Sequence, residues 1–206
     1  MFQLFEKGGP IMWPILATSI IALTVVLERL FFILREKARR EPQIVEQMLT
    51  AVEHGDIDDA QRLGHGSRDF IARTLCYALS HEDKLNAVAR AAGRELQRYN
   101  RGLSLLDTAI TVAPLLGLLG TVTGMIRSFS ILGGEELGAP SAITGGIAEA
   151  LIATAFVPLI AMISLLPFNY LNSQLEGARQ ELQNAAAHLE LLLHKSAKHT
   201  DPAPRA

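Results

Sequence analysis

One stretch of this chain constrains its fold more than any other: residues 108–126 contain no charged side chain. A helix needs about 20 apolar residues to cross the hydrocarbon core of a bilayer, and this run has close to that length. Small residues recur along it at helical spacing, at Ala113, Gly117, Thr121, Gly124 and Ser128. Small side chains let a second helix approach closely, as helices do in lipid. The run therefore predicts a membrane-spanning helix that contacts a partner helix or lines a pore.

Two further apolar segments resemble this one in length, so the sequence predicts three membrane spans. The first is expected at about 11–34, the second at 103–132 and the third at 143–172, which contains 26 consecutive uncharged residues at 150–175. The predicted fold is an all-α membrane protein whose long helices extend into a helical cytoplasmic region. The expected segments are 1–34, 35–102, 103–172 with a short loop at about 133–143, and 173–206 with a disordered tail from 201.

The distribution of cations predicts the orientation of these spans. Residues 35–101 hold 12 of the 19 Lys and Arg side chains, and none lies in 128–148. Because cytoplasmic loops carry the excess of Lys and Arg, residues 35–102 and 173–206 are expected inside and the N-terminus outside. Arg127 is the exception, since it lies near the outer end of the second span. It is expected to reach water, a lipid headgroup or a carboxylate such as Glu135.

The polar residues between the spans contain no pattern of an enzyme. The six histidines lack the spacing of metal ligands, and neither a phosphate-binding loop nor a nucleophile motif is present. The net charge of −2 and the absence of a basic stripe with interleaved aromatics give no indication of nucleic acid as a partner. We therefore expect no metal, no cofactor and no catalysis, with the lipid membrane as one partner.

Apolar residues at helical spacing predict an amphipathic helical bundle between the first two spans. Breaks are expected at 54–56, with Asp56 as a helix cap, and at 64–67. From about Asp69 to Asn100 the chain is mostly helix-forming, and it could continue into the second span as one long helix.

Glu149 is the one charged residue of the predicted third span, near its start. A charge at the centre of a membrane costs roughly 2.5–3.5 kcal/mol on translocon scales, so a carboxylate there indicates a function. The alternative is an interfacial Glu near the start of the helix, where the helix dipole favours a negative charge. Position alone leaves both interpretations open.

Thr154 and Pro158 form a second polar point in the third span. The hydroxyl of a membrane threonine commonly bonds the carbonyl four residues back, which gives Thr154 a purely local alternative. Proline, however, has no N–H for the carbonyl four residues back, and that carbonyl belongs to Thr154. A free carbonyl and a hydroxyl at one level predict a local hydration point beside a conduction path.

At these residues the chain resembles the MotA/TolQ/ExbB proton-channel family, on its ExbB/TolQ side. The matching sequence segments are APLLGLLGTV at 113–122 and GIAEALIATA at 146–155, with ERL at 28–30 and FNY at 168–170. The resemblance implies a homo-oligomeric ring, usually a pentamer, around helices of an ExbD- or TolR-like partner that brings an essential aspartate. It also implies a TonB- or TolA-like protein and a location in the bacterial inner membrane.

Carried over to this sequence, the resemblance implies that Thr121, Glu149 and Thr154 line the proton pathway. The residues expected to pack helices are Ala113, Pro114, Gly117, Gly120, Gly124, Gly146, Ala150 and Pro158. Val157-Pro158 departs from the Gly-Leu that the family commonly has in the third span.

The expected function is that of a proton-channel subunit that couples the proton motive force to movement of its partner. This would serve TonB-dependent transport or Tol-type work on the envelope. One alternative is a membrane scaffold that holds partner helices without conducting. A flagellar-stator subunit is the other, and it is disfavoured because such proteins usually have four spans.

Overall fold

The computed structural model describes residues 8–132 and 140–200, and within them every regular element is an α-helix. The helices are α1 (Met12–Lys37), α2 (Pro42–Glu53), α3 (Ile57–Gly64), α4 (Phe70–Leu79), α5 (Lys84–Asn100), α6 (Leu103–Leu132) and α7 (Pro140–Thr200). Three helical stretches are long and apolar enough to cross a membrane. The prediction of an all-α membrane protein with three long apolar helices is confirmed.

The chain divides into two compact units, and the first holds the apolar segments. It comprises Met1–Leu30 and Gly102–Leu171. Its core is a cluster of small and branched side chains from α1, α6 and α7, formed by Met12, Ile15, Ala113, Ala153 and Val157. Large apolar side chains such as Leu118, Ile126 and Leu166 are at least 60% exposed, as expected for residues that face lipid or another chain.

The second unit comprises Phe31–Arg101 and Asn172–Ala206, and it contains α2–α5. Three of its helices begin at an aspartate whose carboxylate accepts a backbone N–H of the first turn: Asp56 from Asp59, Asp69 from Ile71 and Asp83 from Asn86. Such caps satisfy N–H groups that have no partner inside the helix. The expected cap at Asp56 is among them.

Helix bounds agree with the sequence in some places and differ in others. α6 has the bounds expected for the second span, and breaks occur near 54–56 and 64–67 as expected. The expectation of one long helix into that span is wrong, because α5 ends at Asn100 and Gly102 adopts a φ of 82°. α7 starts at Pro140, so 140–143 are helical rather than loop. The rest of the expected loop, Glu135, and the expected disorder from 201 lie outside the described residues.

Candidate functional site

Helices α6 and α7 pack as an antiparallel hairpin with one register along their length. A Cβ atom placed on Gly117 would lie 3.2 Å from Val157, one on Gly120 would lie 3.3 Å from Ala153, and one on Gly124 would lie 2.7 Å from Ala150. One turn further, a Cβ atom on Gly146 would overlap the Ser128 hydroxyl. From Gly117 to Ser128 the residue numbers in α6 increase by 11, while those of the facing residues in α7 decrease by 11, from Val157 to Gly146. The two helices are therefore antiparallel, with a single register over this stretch.

Small side chains thus allow the two backbones to approach closely. Gly117, Gly120, Gly124 and Ala150 are buried in the contact and Gly146 is partly exposed, while Ala113 belongs to the core cluster shared with α1. Pro114 and Pro158 are exposed. Within one chain these two prolines therefore do not pack helices together, because both lie to the side of the contact stripe.

The register gives the hairpin two distinct flanks. α1 covers one of them, where Ile11, Leu116, Phe156 and Ile160 pack on the core cluster. A helix turns by about 100° per residue, so Thr121 is rotated about 40° from Gly117, and Thr154 about 40° from Ala150. In an antiparallel pair both rotations lead to the same side, away from α1. We call this side the threonine flank: Asp107, Pro114, Thr121, Thr154 and Pro158.

Thr154 is the residue of this flank that reaches across the hairpin. Its hydroxyl lies 2.9 Å from the Ala150 carbonyl of its own helix and 3.4 Å from the Gly117 carbonyl of α6. The Thr121 hydroxyl donates to the Leu118 carbonyl at 2.7 Å. Each hydroxyl thus donates its proton to backbone and keeps its lone pairs for an acceptor role. Both side chains are partly exposed.

Glu149 does not join these threonines. It lies five residues before Thr154, about 140° around α7, on the flank that α1 covers. Its Oε1 is 3.6 Å from Arg127 Nη1, and its side chain is 25% exposed. Both residues border a groove of about 380 Å³ with Gly8, Pro10, Ile11, Gly120, Thr123 and Gly124.

Sequence reasoning left the partner of Arg127 open between water, a headgroup and a carboxylate, and the structure supplies Glu149. For each pair of residues in contact across the hairpin, the two residue numbers add up to 273 or 274. The numbers of Arg127 and Glu149 add up to 276, so these residues lie at nearly the same level of the two helices. The register of the small residues was therefore a signal that could have found this ion pair.

Arg29 is a second residue whose position the sequence did not predict. Arginines near the end of a membrane span commonly extend their charged head into water, whereas Arg29 is 5% exposed and pairs with Glu28. Its stem passes close to Gly102, where an added Cβ atom would lie 3.4 Å from Arg29 Cδ. The left-handed backbone at Gly102 and its missing side chain together make room for this arginine.

Within the described ranges 8–132 and 140–200, no group of three or more His, Cys, Asp or Glu side chains could hold a metal ion. The arrangement offers hydroxyl and carbonyl oxygens on one flank of a membrane hairpin and an ion pair on the other. Such groups can bind water and protonated partners, and they form neither a nucleophile–base pair nor a metal site.

Comparison with known proteins gives this geometry a family. The family model described as the MotA/TolQ/ExbB proton channel family matches residues 66–184, which is more than half of the chain and includes all of α6. The match also covers the part of α7 that carries Glu149, Thr154 and Pro158.

Similar proteins have ExbB- or TolQ-type names. The ExbB-like 1 biopolymer transport protein of Synechocystis sp. is 37% identical over 91% of this chain and 77% of its own length. The ExbB-like 3 protein of the same organism is 31% identical over 91% and 92%. The Tol-Pal system protein TolQ of Haemophilus influenzae is 31% identical over 55% and 50%. Three apolar helices, a hairpin of small residues and these matches together establish that the chain belongs to the MotA/TolQ/ExbB proton channel family.

Proposed function

We propose that this chain is the proton-channel subunit of an inner-membrane energy-transducing complex of the ExbB/TolQ type. The observation that carries the proposal is the threonine flank, where Thr154 reaches the Gly117 carbonyl on the side of the hairpin that α1 leaves open. A proton path needs hydrogen-bonding groups in a region that is otherwise apolar. The proposed pathway residues are Thr121 and Thr154 on this flank, together with Glu149 on the flank that α1 covers.

The threonine flank supports the proposal that this subunit works with a partner that supplies an acid. A proton that crosses 100 mV releases about 2.3 kcal/mol, and this energy can drive movement only if a carrier is neutral in one position and charged in another. Threonine hydroxyls do not ionise at physiological pH, and Glu149 lies on the other flank of the hairpin. We infer that a helix of an ExbD- or TolR-like protein lies against the threonine flank and brings the carboxylate.

Pro158 contributes to the same flank by leaving the Thr154 carbonyl without its usual helical donor. This carbonyl and the Thr154 hydroxyl form the proposed hydration point. Replacement of Pro158 by Leu restores the N–H and is expected to lower proton conduction. Unchanged conduction in that variant would show that the carbonyl plays no part.

The proposed assembly follows the family. The subunit forms a homo-oligomeric ring, a pentamer, and works with a TonB- or TolA-like protein in the envelope. The N-terminus lies in the periplasm and the C-terminus in the cytoplasm, as the excess of Lys and Arg in 35–101 indicates.

The test is proton flux in vesicles that contain this chain and an ExbD/TolR-like partner. We expect Thr154→Val and Thr121→Val to abolish most of the flux, since valine keeps the shape and removes the oxygen. Thr24→Val is the matched control, because the Thr24 hydroxyl also bonds its own helix, at the Ile20 carbonyl, but lies on the exposed face of α1 and borders none of the proposed pathway residues. Equal flux in all three variants would reject the threonine flank as the path.

One observation favours the scaffold as a second candidate. Both flank threonines already donate to carbonyls of their own helices, as threonines without a function in conduction do. A scaffold predicts that the partner still assembles with the ring while vesicles show no flux even for the unchanged chain.

A further inference from the structure

The Arg127–Glu149 pair joins three elements of the first unit. Arg127 belongs to α6 and Glu149 to α7, and the backbone immediately before α1 lies against the same carboxylate. A Cβ atom on Gly9 would overlap Glu149 Oε1, so a side chain at this position would displace the carboxylate. We call Gly9, Arg127 and Glu149 the clasp.

The backbone at Gly9 is shaped for this contact. Gly9 has a φ of 71°, a region that residues with a Cβ atom rarely adopt. Its carbonyl accepts the Met12 N–H at 3.1 Å, which closes the turn that starts α1. A Cβ atom on the preceding Gly8 would lie 3.5 Å from Ile152 Cγ2, one turn along α7 from Glu149, and 2.5 Å from Cγ of Met12, whose flexible side chain would have to shift.

We propose that Arg127 is a positioning residue that holds the Glu149 carboxylate against the turn at Gly9 and thereby fixes the start of α1 to the α6–α7 hairpin. This inference rests on the proposed function only in that Glu149 is taken as part of the proton pathway. The clasp assigns Glu149 to the α1 flank, so its contribution to conduction depends on the position that Arg127 gives it. Glu149 works at the opposite side of the hairpin from the threonines.

Charge and exposure support this assignment. Glu149 is three-quarters buried, whereas Arg127 is 62% exposed and can reach water or headgroups with its remaining donors. A counter-charge or hydrogen-bond donors offset the cost of burying a carboxylate beside apolar groups such as Ile11. Without Arg127 we expect the Glu149 carboxylate to rotate towards water, so that the turn at Gly9 loses its contact with α7.

The experiment measures the contact itself by cysteine cross-linking in membranes. Gly8→Cys and Ile152→Cys are combined in a Cys76→Ser background, and the disulfide yield reports whether the start of α1 stays on α7. Arg127→Gln and Glu149→Gln are each expected to lower the yield by up to about fivefold, which corresponds to the roughly 1 kcal/mol upper figure for partly exposed ion pairs. Arg127→Lys retains the positive charge and is expected to restore most of the yield.

Arg179→Gln is the matched control, since Arg179 forms an exposed ion pair with Glu176 in the part of α7 that belongs to the second unit. It should leave the yield unchanged. The double variant Arg127→Glu/Glu149→Arg reverses the pair and should recover the yield that each single reversal loses. An unchanged yield in Arg127→Gln, or an Arg127→Lys variant no better than Arg127→Gln, would overturn the clasp.

Flux measured on the same variants separates this proposal from the proposed function. If the unchanged chain conducts with its partner, Arg127→Gln should reduce flux and Arg127→Lys should restore it. If the unchanged chain conducts nothing, the proposed function fails, and the cross-link still decides whether the clasp exists because that measurement needs neither partner nor flux.

Discussion

The two units of this chain hold their helices together by different means. In the unit of Gly102–Leu171 the contacts of α6 with α7 are made by Gly117, Gly120 and Gly124 against Val157, Ala153 and Ala150. In the unit of Phe31–Arg101 the helices are joined by charges: Arg73 contacts both Glu36 and Glu95, and Arg40 contacts both Asp69 and Glu181.

The difference follows from the solvent around each unit. In lipid, apolar side chains gain little by leaving the solvent, so close backbone approach and dispersion must stabilise the contact. In water, burial of apolar side chains drives folding, and ion pairs and caps then specify the arrangement. Substitutions that remove volume or charge should therefore affect the two units differently.

The largest effect is expected at Asp69. This carboxylate is fully buried, accepts the N–H groups of Glu41 and Ile71 at 2.8 Å each, and pairs with Arg40 at 3.3 Å. Asp69→Ala should lower the free energy of unfolding of the second unit by about 2–5 kcal/mol, because the N–H groups of Glu41 and Ile71 lose their acceptor. Hydrogen exchange of the α4 and α5 amides measures this.

Asp69→Asn separates the α4 cap from the other contacts of this carboxylate. Asparagine caps helices about as well as aspartate, so this variant should keep the bond from the Ile71 N–H, but its NH2 group cannot accept the Glu41 N–H and it has no charge to pair with Arg40. If both variants destabilise equally, the charge and the second acceptor oxygen dominate over the cap at this position. If neither changes hydrogen exchange, the view that charges specify the second unit is wrong.

The next effect is expected in the membrane hairpin, at Gly124. A methyl group there would lie 2.7 Å from Ala150 Cβ and 3.1 Å from the Gly146 carbonyl. Gly124→Ala should force the helices apart and destabilise the hairpin by about 1–3 kcal/mol, as overpacking commonly does. Thermal unfolding in detergent micelles provides the measurement.

Gly145 is the control for this prediction, because no other atom lies within 4 Å of a Cβ atom added to it. Gly145→Ala should be neutral or stabilising, since alanine is the better helix former. A hairpin that tolerates Gly124→Ala as well as Gly145→Ala would contradict the close packing of α6 and α7.

A third substitution tests the break between α5 and α6, at Gly102. Its φ of 82° and the nearby Val25 and Arg29 side chains both oppose a Cβ atom. Gly102→Ala should cost about 1–2 kcal/mol from the left-handed backbone alone. Gly93→Ala, in the middle of α5 with open space around it, should instead stabilise by about 0.5–1 kcal/mol. Similar melting temperatures for the two variants would show that the break at Gly102 is not required.

The sequence predicted the spans well because long uncharged runs leave few alternatives. The bounds of α6 follow from the charged and polar residues on either side of an apolar segment. The break at Gly102 was missed because a helix-forming sequence such as 84–100 does not reveal a left-handed residue that accommodates Arg29. Helix propensity depends on neighbouring residues in the sequence, whereas the need for a glycine at position 102 comes from Arg29 in α1.

The candidate site shows the same division. The small residues at helical spacing predicted a close helix contact, and the spacing from Gly117 to Thr121 and from Ala150 to Thr154 predicts their shared flank once the register is known. The angle of about 140° between Glu149 and Thr154 follows from their spacing of five residues. That Glu149 thereby lies on the flank covered by α1 needed the register of the hairpin and the position of α1, and a single sequence contains neither in a local pattern.

The smallest expected effect concerns pH and the cap at Asp83. The hydrogen bonds from Asn86, first from its side-chain amide at 2.6 Å and then from its backbone N–H at 3.1 Å, lower the pKa of Asp83 below its usual 3.8, with a minor contribution from the charge of Arg90. A carboxylate whose pKa is lower in the folded state stabilises that state above pH 3.8, and this contribution is lost as the pH falls through the folded pKa.

Asp83→Ser retains a neutral cap that does not titrate. The melting temperature of the unchanged chain should therefore exceed that of Asp83→Ser at pH 6, and the difference should shrink below about pH 4. A difference that stays constant from pH 6 to pH 3 would show that the charge of Asp83 contributes nothing, and that even the exposed caps of the second unit act through hydrogen bonding alone.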